Sequence, residues 1–174
     1  MLANVRPVTV YDTQLLRYWR NQDYVRKHML NPAKIQSSEQ IDWFLNIDSD
    51  TQKHFIYSHG YHDVGTCNLT KINRSEKTFE SGIICGNTEF QKHPINIYSC
   101  LWLYDYAFNQ LSLVSGTVNI LRSNKRAIKL NKALGFKETN ISSEEVMNCQ
   151  LTKIDHLVAR VKFIKFLRTL DLWR

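Results

Sequence analysis

Between Phe90 and Phe136 the chain runs through a polar segment, a helical apolar pattern, a short apolar stretch and a second helical pattern closed by Leu134-Gly135-Phe136. No other feature constrains the fold as much, because this order places two helix N-termini on either side of one strand. A helix start presents unpaired amides and the positive end of its dipole, so Gln91-Lys92-His93-Pro94-Ile95-Asn96 ahead of the first helix is a candidate anion seat. Asn124-Lys125-Arg126-Ala127 opens the second helix, with Asn124 as its cap. Ile97, Leu101, Tyr104 and Phe108 recur at helical spacing, Gly116 to Leu121 suits a strand, and Ala127, Leu130 and Leu134 form a second helical face. Gly135 stands where a left-handed C-terminal cap is wanted.

The flanking segments supply the remaining elements. Val5 to Val10 is expected as a strand, after which Asp12 caps a helix through Leu15, Leu16 and Trp19, followed by a short basic segment, Asp23 to Leu30. Ser37-Ser38-Glu39-Gln40 reads as a capping box, Ser37 with Gln40, ahead of Ile41, Phe44 and Leu45. His54 to Ser58, Val64 to Lys71 and Lys77 to Cys85 form an antiparallel meander. In the tail, Leu157, Ala159, Val161 and Phe163 alternate with Val158, Arg160 and Lys162, which predicts a long strand paired with Glu145 to Leu151.

Composition narrows the class. A chain of 174 residues, 43% hydrophobic and without repeats or long linkers, suits one domain over residues 1–174 with a real core. No apolar run approaches bilayer-spanning length, and Met1 to Pro7 lacks the apolar core of a secretory signal, so a soluble cytoplasmic protein without a membrane partner is expected. Cys67, Cys85, Cys100 and Cys149 are far apart, without metal-finger spacing; reduced thiols and no metal site follow. The net charge of +7 favours a polyanionic partner. Basic and aromatic residues interleave in the tail, but no nucleic-acid motif accompanies them, so nucleic acid is an unlikely partner.

The element order, with Asn-x-x-Ala and then Leu-Gly-Phe, resembles the GCN5-related N-acetyltransferases over most of the chain. Trp19-Arg20-Asn21, the Ser-rich cap before Trp43-Phe44, Asn68-Leu69-Thr70-Lys71-Ile72-Asn73 and Tyr106-Ala107-Phe108 are similar to the branch of ribosomal-protein, spermidine and nucleotide-sugar N-acetyltransferases, the pseudaminic-acid-pathway enzymes above all. The resemblance implies an α/β (α+β) fold: a central mixed, mostly antiparallel sheet of about seven strands, with a V-shaped splay between strands 4 and 5 and about four flanking helices. It also implies acetyl-CoA as acetyl donor, its arm lying along Ile83, Ile84 and Cys85 like an added strand, with amides near Ile84 and Cys85 polarising the thioester carbonyl.

In relatives the cofactor pyrophosphate rests on a Gln/Arg-x-x-Gly-x-Gly/Ala loop, so Gln91, Lys92, His93, Pro94, Ile95, Asn96 and Ile97 become candidate cofactor residues, joined by Asn124, Arg126 and Ala127. Only Gln91 matches that loop: Pro94 has no amide hydrogen, Asn96 stands where glycine is usual, and Lys92 and His93 would compensate by charge. Glu80 matches a strand carboxylate that acts as base in relatives, with His54, His59 and His62 as further candidates. Asn131 occupies the position of a tyrosine that protonates the leaving thiolate; an amide cannot, but a thiolate with a pKa of about 8.5 leaves without full protonation.

For the acceptor, Arg20 and Lys71 suit a nucleotide diphosphate, with Trp19, Asn21 and Thr70 beside them. The expected reaction is direct acetyl transfer in a ternary complex to the primary amine of a nucleotide-linked amino sugar. A protein N-terminus and a polyamine stay open as acceptors, although the charge of +7 argues against the latter. A lapsed acetyltransferase serving as a binding or regulatory module is a further alternative. Edge strands and the aromatic tail could support a homodimer.

Overall fold

The computed structural model describes residues 3–173. β1 (Ala3–Pro7) leads through a 3-10 turn into α1 (Thr13–Asn21), α2 (Asp23–Arg26) and α3 (Ser37–Leu45). The meander follows as β2 (Lys53–His59), β3 (His62–Asn73) and β4 (Thr78–Cys85). α4 (Ile95–Asp105) ends in a π-helical turn over Tyr106–Gln110, and β5 (Ser115–Leu121), α5 (Lys125–Ala133), β6 (Lys137–Glu138), β7 (Val146–Thr152) and α6 (Lys153–Thr169) complete the chain. The strands form one sheet in the order β1-β2-β3-β4-β5-β7-β6.

Strand alternation sorts the side chains onto two faces. Tyr57, Cys67, Leu69 and Phe79 face α4, which buries Ile95, Leu101, Leu103 and Tyr104 in the main core. Ile56 points the other way and packs with Leu16 and Trp19 of α1. The two faces are therefore covered by different parts of the chain, and the main covering continues past β4 over Met147, Cys149 and Leu151 of β7. β4 and β5 pair in parallel only at Thr78↔Ser115, Phe79↔Gly116 and Glu80↔Thr117. Beyond Glu80 the strands diverge, because β5 follows β7 in antiparallel register from Ser115↔Thr152 to Leu121↔Val146.

Several elements differ from expectation. Residues 153–169 are a helix, not a strand, and β7 pairs with β5 and β6. The apolar alternation misled because Leu157, Val158 and Val161 are exposed; α6 instead buries His156, Ala159, Ile164 and Leu167. Its start carries a cap: the Thr152 hydroxyl accepts from Asp155 N at 3.2 Å and donates to the Asp155 carboxylate at 2.7 Å. Asp105 of α4 then anchors α6, with Arg160 Nε donating to both carboxylate oxygens at 2.8 Å and His156 Nε2 at 2.8 Å from Oδ1.

At the other end of the chain, β1 closes at Pro7, and Val10 lies in the 3-10 turn. Asp12 occupies the N-cap of α1, yet its carboxylate turns back to Thr9 N at 2.8 Å and to Arg6 at 2.8 and 2.9 Å. The α3 box is shifted by one residue: Gln36 is the N-cap and Glu39 returns to its amide, so Ser37 and Gln40 are not the pair. Gly135 adopts φ 100°, the left-handed conformation wanted after α5, and Phe136 is buried behind it.

Candidate active site

The fork between β4 and β5 opens into a groove of about 360 Å³. One wall is the free edge of β4 at Ile83, Ile84 and Cys85; the opposite wall is the start of α5, with Asn124, Arg126, Ala127 and Leu130. Gln91 and Asn96 line it from the α4 side, and Tyr24, Lys27, His28 and Met29 close it from the α2 side. Gly86 N donates to Val64 O at 2.9 Å, and Ile84 O accepts from the Tyr57 hydroxyl at 3.3 Å, so the main-chain groups of residues 84 and 86 face β3. Ladder alternation then turns the amides and carbonyls of Ile83 and Cys85 into the fork. An extended, amide-bearing ligand finds a strand edge there.

Three residues shape this groove. Burial pushes the Cys85 thiol up, against the lowering effect of the Tyr57 hydroxyl and the Arg126 charge, so it stays a protonated thiol and a poor nucleophile. The Tyr24 hydroxyl donates to Gly86 O, and burial raises its pKa. Gly86 itself cannot carry a side chain, since a Cβ would lie 2.1 Å from the Trp19 ring. Close packing of the β4 end on α1 is thereby what brings Tyr24 against the groove.

A second cavity, of about 540 Å³, lies across β4 beneath α1 and α3. Thr66, Asn68 and Thr70 of β3 and His54 of β2 form its sheet side, while Arg20, Lys34, Glu39 and Trp43 come from the helical side. Met29 and Ile84 line both cavities, which places them at a common boundary. Arg20 donates through Nη2 to Asn31 O, and its Nη1 is buried without a partner. Burial and then the neighbouring Arg26 lower the Arg20 pKa. The one carboxylate lining the cavity, Glu39, accepts from Gln36 N at 2.5 Å and so serves as a helix cap. Burial lowers the His54 pKa to about 4, which keeps the ring neutral at neutral pH; it contacts Gln52 at 3.0 Å and the edge of Trp43.

Glu80 stands on the last rung of the fork, opposite Thr70 of β3 and Thr117 of β5. Its Oε2 accepts from Lys71 Nζ at 2.9 Å and from Asn119 Nδ2 at 3.2 Å. Oε1 has no protein partner among the described residues.

The structure brings together Ile83, Ile84, Cys85, Gln91, Asn96, Asn124, Arg126 and Ala127 in the groove, and Arg20 and Thr70 in the second cavity. Other expected site residues lie elsewhere. Trp19 is core, Asn21 clamps the backbone of Ile35 through two bonds of 2.8 Å, and Lys71 pairs with Glu80. Pro94 precedes α4 as its N-cap, Ile95 is fully buried and Ile97 packs on the core. The His93 ring lies tilted against that of His59, centroids 4.8 Å apart, and Lys92 is exposed. Asn131 is buried, its amide donating to Ala127 O at 2.9 Å, and it does not line the groove. Tyr24, Lys27, His28 and Met29 were not expected at the site; their only sequence signal is a short basic stretch after α1.

Solved structures share this mostly antiparallel sheet that forks beside a helix start. A spermidine N-acetyltransferase from Vibrio cholerae in complex with CoA and spermine superposes with a TM-score of 0.81 at 18% identity, covering 89% of this chain and 98% of that one. A nucleotide-linked sugar GNAT in its apo form gives 0.81 at 17% identity, with 95% of each chain covered. A domain from Methanocaldococcus jannaschii gives 0.76 at 21% identity, covering 86% of this chain and 97% of that one. Comparison with curated protein sequences gives no match. The acetyltransferase (GNAT) domain family matches residues 4–137, and the chain belongs to it.

No helix among the described residues is long and apolar enough to cross a membrane. No group of three or more His, Cys, Asp or Glu side chains among them is placed to hold a metal ion.

Proposed function

We propose that the protein transfers the acetyl group of acetyl-CoA to the primary amine of a small acceptor that carries negative charge, and that this acceptor is a nucleotide-linked amino sugar. The observation that carries the reading is the pair of cavities meeting at Ile84 and Met29, one along a free strand edge and the other holding an Arg20 guanidinium with an unpartnered Nη1. A polyamine would need carboxylates in the second cavity. Its one lining carboxylate is already committed to a helix cap, while Arg20 and Lys34 repel a polycation. An anionic acceptor instead gives Arg20 a bidentate partner.

The donor supplies an activated acetyl thioester when bound. The amides of Ile83 and Cys85 would hold its arm as an added strand is held, and with Asn131 unable to give a proton and the Tyr24 proton committed to Gly86 O, the coenzyme would leave as its thiolate. Glu80 Oε1 takes the proton of the acceptor ammonium, directly or through one water, because an ammonium has no lone pair with which to attack. Lys71 and Asn119 hold that carboxylate in place.

An acetylation screen over UDP-linked amino sugars, N-terminal peptides and spermidine tests the proposal. Turnover confined to the sugar nucleotides is expected. Preferred turnover of spermidine or of peptides would overturn the acceptor, and CoA binding without turnover of any amine would favour a lapsed, regulatory role.

A further inference from the structure

We propose that the phosphates of the donor nucleotide are gripped by side chains across the mouth of the groove, the cations Lys27 on the α2 side and Arg126 on the α5 side with the His28 imidazole as a hydrogen-bond donor, and not by main-chain amides ahead of α4. This rests on the groove being the acetyl-CoA site.

All the amides of the loop but that of Lys92 are already engaged. Gln91 N donates to Thr88 O at 3.3 Å, His93 N to Phe90 O at 2.9 Å, Ile95 N to His93 Nδ1 at 3.1 Å and Asn96 N to His93 O at 3.2 Å. Pro94 has no amide hydrogen to give. The Asn96 side chain locks this arrangement, donating to Phe90 O at 2.6 Å and His93 O at 2.9 Å and accepting from the Tyr57 hydroxyl at 2.7 Å. Beyond the single amide of Lys92, a phosphate arriving here would have to break internal bonds to obtain main-chain donors, and each exchange returns only the difference between two hydrogen bonds.

The walls offer what the loop lacks. Lys27 and Arg126 line the groove with no ion-pair partner among the described residues. Beside them, His28 presents a buried Nδ1 without a hydrogen-bond partner; burial and then Lys27 lower its pKa, so the ring is neutral, and in its Nδ1–H tautomer an anion in the groove would supply the missing acceptor. Lys27 and His28 come from one side of the fork and Arg126 from the other, so a pyrophosphate between them would tie α2 to α5 across the open strand edge. Point charges at the ends of side chains are less directional than aligned amides and more sensitive to salt.

Calorimetric titration of the full chain with CoA decides the matter. Lys27→Ala and Arg126→Ala are each expected to weaken CoA binding about tenfold, and the double variant about a hundredfold, since charge-assisted bonds to phosphate are the strong ones. His28→Gln should weaken it several-fold, and Lys92→Ala, on the loop outside the groove, by less than about twofold. Wild-type affinity should fall steeply between low and high salt. Near-wild-type binding by the Lys27→Ala, Arg126→Ala double variant, with its melting temperature unchanged, would overturn the cationic grip alone. No heat from millimolar CoA with the wild-type protein would overturn the donor reading beneath it as well.

Discussion

Asp105 and Arg20 stand on opposite faces of the sheet and treat hydrogen-bonding capacity in opposite ways. Asp105 accepts from Arg160 through both oxygens and from His156, and Arg160 lies over the Trp173 ring at 5.5 Å. Arg20 keeps a buried nitrogen with no acceptor and has no carboxylate beside it. The paired charges on the α6 side hold elements together, with only His156 Nδ1 lacking a partner among the described residues, whereas the unpaired charge on the α1 side is available to a ligand. Glu80 is intermediate, with one oxygen engaged and the other without a protein partner.

The largest expected effect follows from opening the paired cluster. Asp105→Ala leaves His156 buried and Arg160 unpaired, and should cost about 3 kcal/mol, seen as a melting temperature lower by roughly 10 °C. Acetyl transfer by the folded fraction should be unchanged. Glu80→Gln should instead slow acetyl transfer about a hundredfold at neutral pH with little change in melting temperature, and the deficit should shrink as pH rises and the acceptor amine deprotonates by itself. A pH profile parallel to wild type would remove Glu80 from proton transfer.

Arg20→Ala should raise the acceptor KM about tenfold with kcat nearly constant and stability within about 1 kcal/mol of wild type. A melting temperature as low as that of Asp105→Ala would break the contrast between the two faces.

The smallest effect is in acid. Burial works to raise the Asp105 pKa, but the hydrogen bonds from His156 and Arg160 outweigh it and hold the carboxyl below its ordinary range. A depressed folded pKa adds stability above the unfolded value of about 3.9 and loses it as pH falls through the folded value. The stability gap between wild type and Asp105→Asn should therefore narrow below about pH 4, as measured by denaturant titration.

The sequence made much of this legible. Punctuation and periodicity located the meander, α4, β5 and α5, and Gly135 marked the cap after α5, because each of these signals is local. The tail was misread because period-two alternation and a helix with an exposed apolar stripe share the same residues; Thr152 and Asp155 carried the contrary signal. At the site, the free edge at Ile83 to Cys85 followed from the resemblance alone, since main-chain groups leave no mark on side-chain choice. Arg20 and Thr70 reached the second cavity, but Trp19, Asn21 and Lys71, their sequence neighbours, did not, because adjacent residues on a helix or strand point in different directions. The α2 wall was hidden for a different reason: Tyr24, Lys27 and His28 meet β4 only through tertiary packing around Gly86 and Trp19.

The common boundary at Met29 and Ile84 bears on the order of events in turnover. Among the described residues, Met29 and Ile84 are the only lining residues the two cavities share, so each reactant has a chamber of its own. Loading can then begin from either end, and double-reciprocal plots should intersect, with each product inhibiting most strongly against the reactant whose berth it occupies.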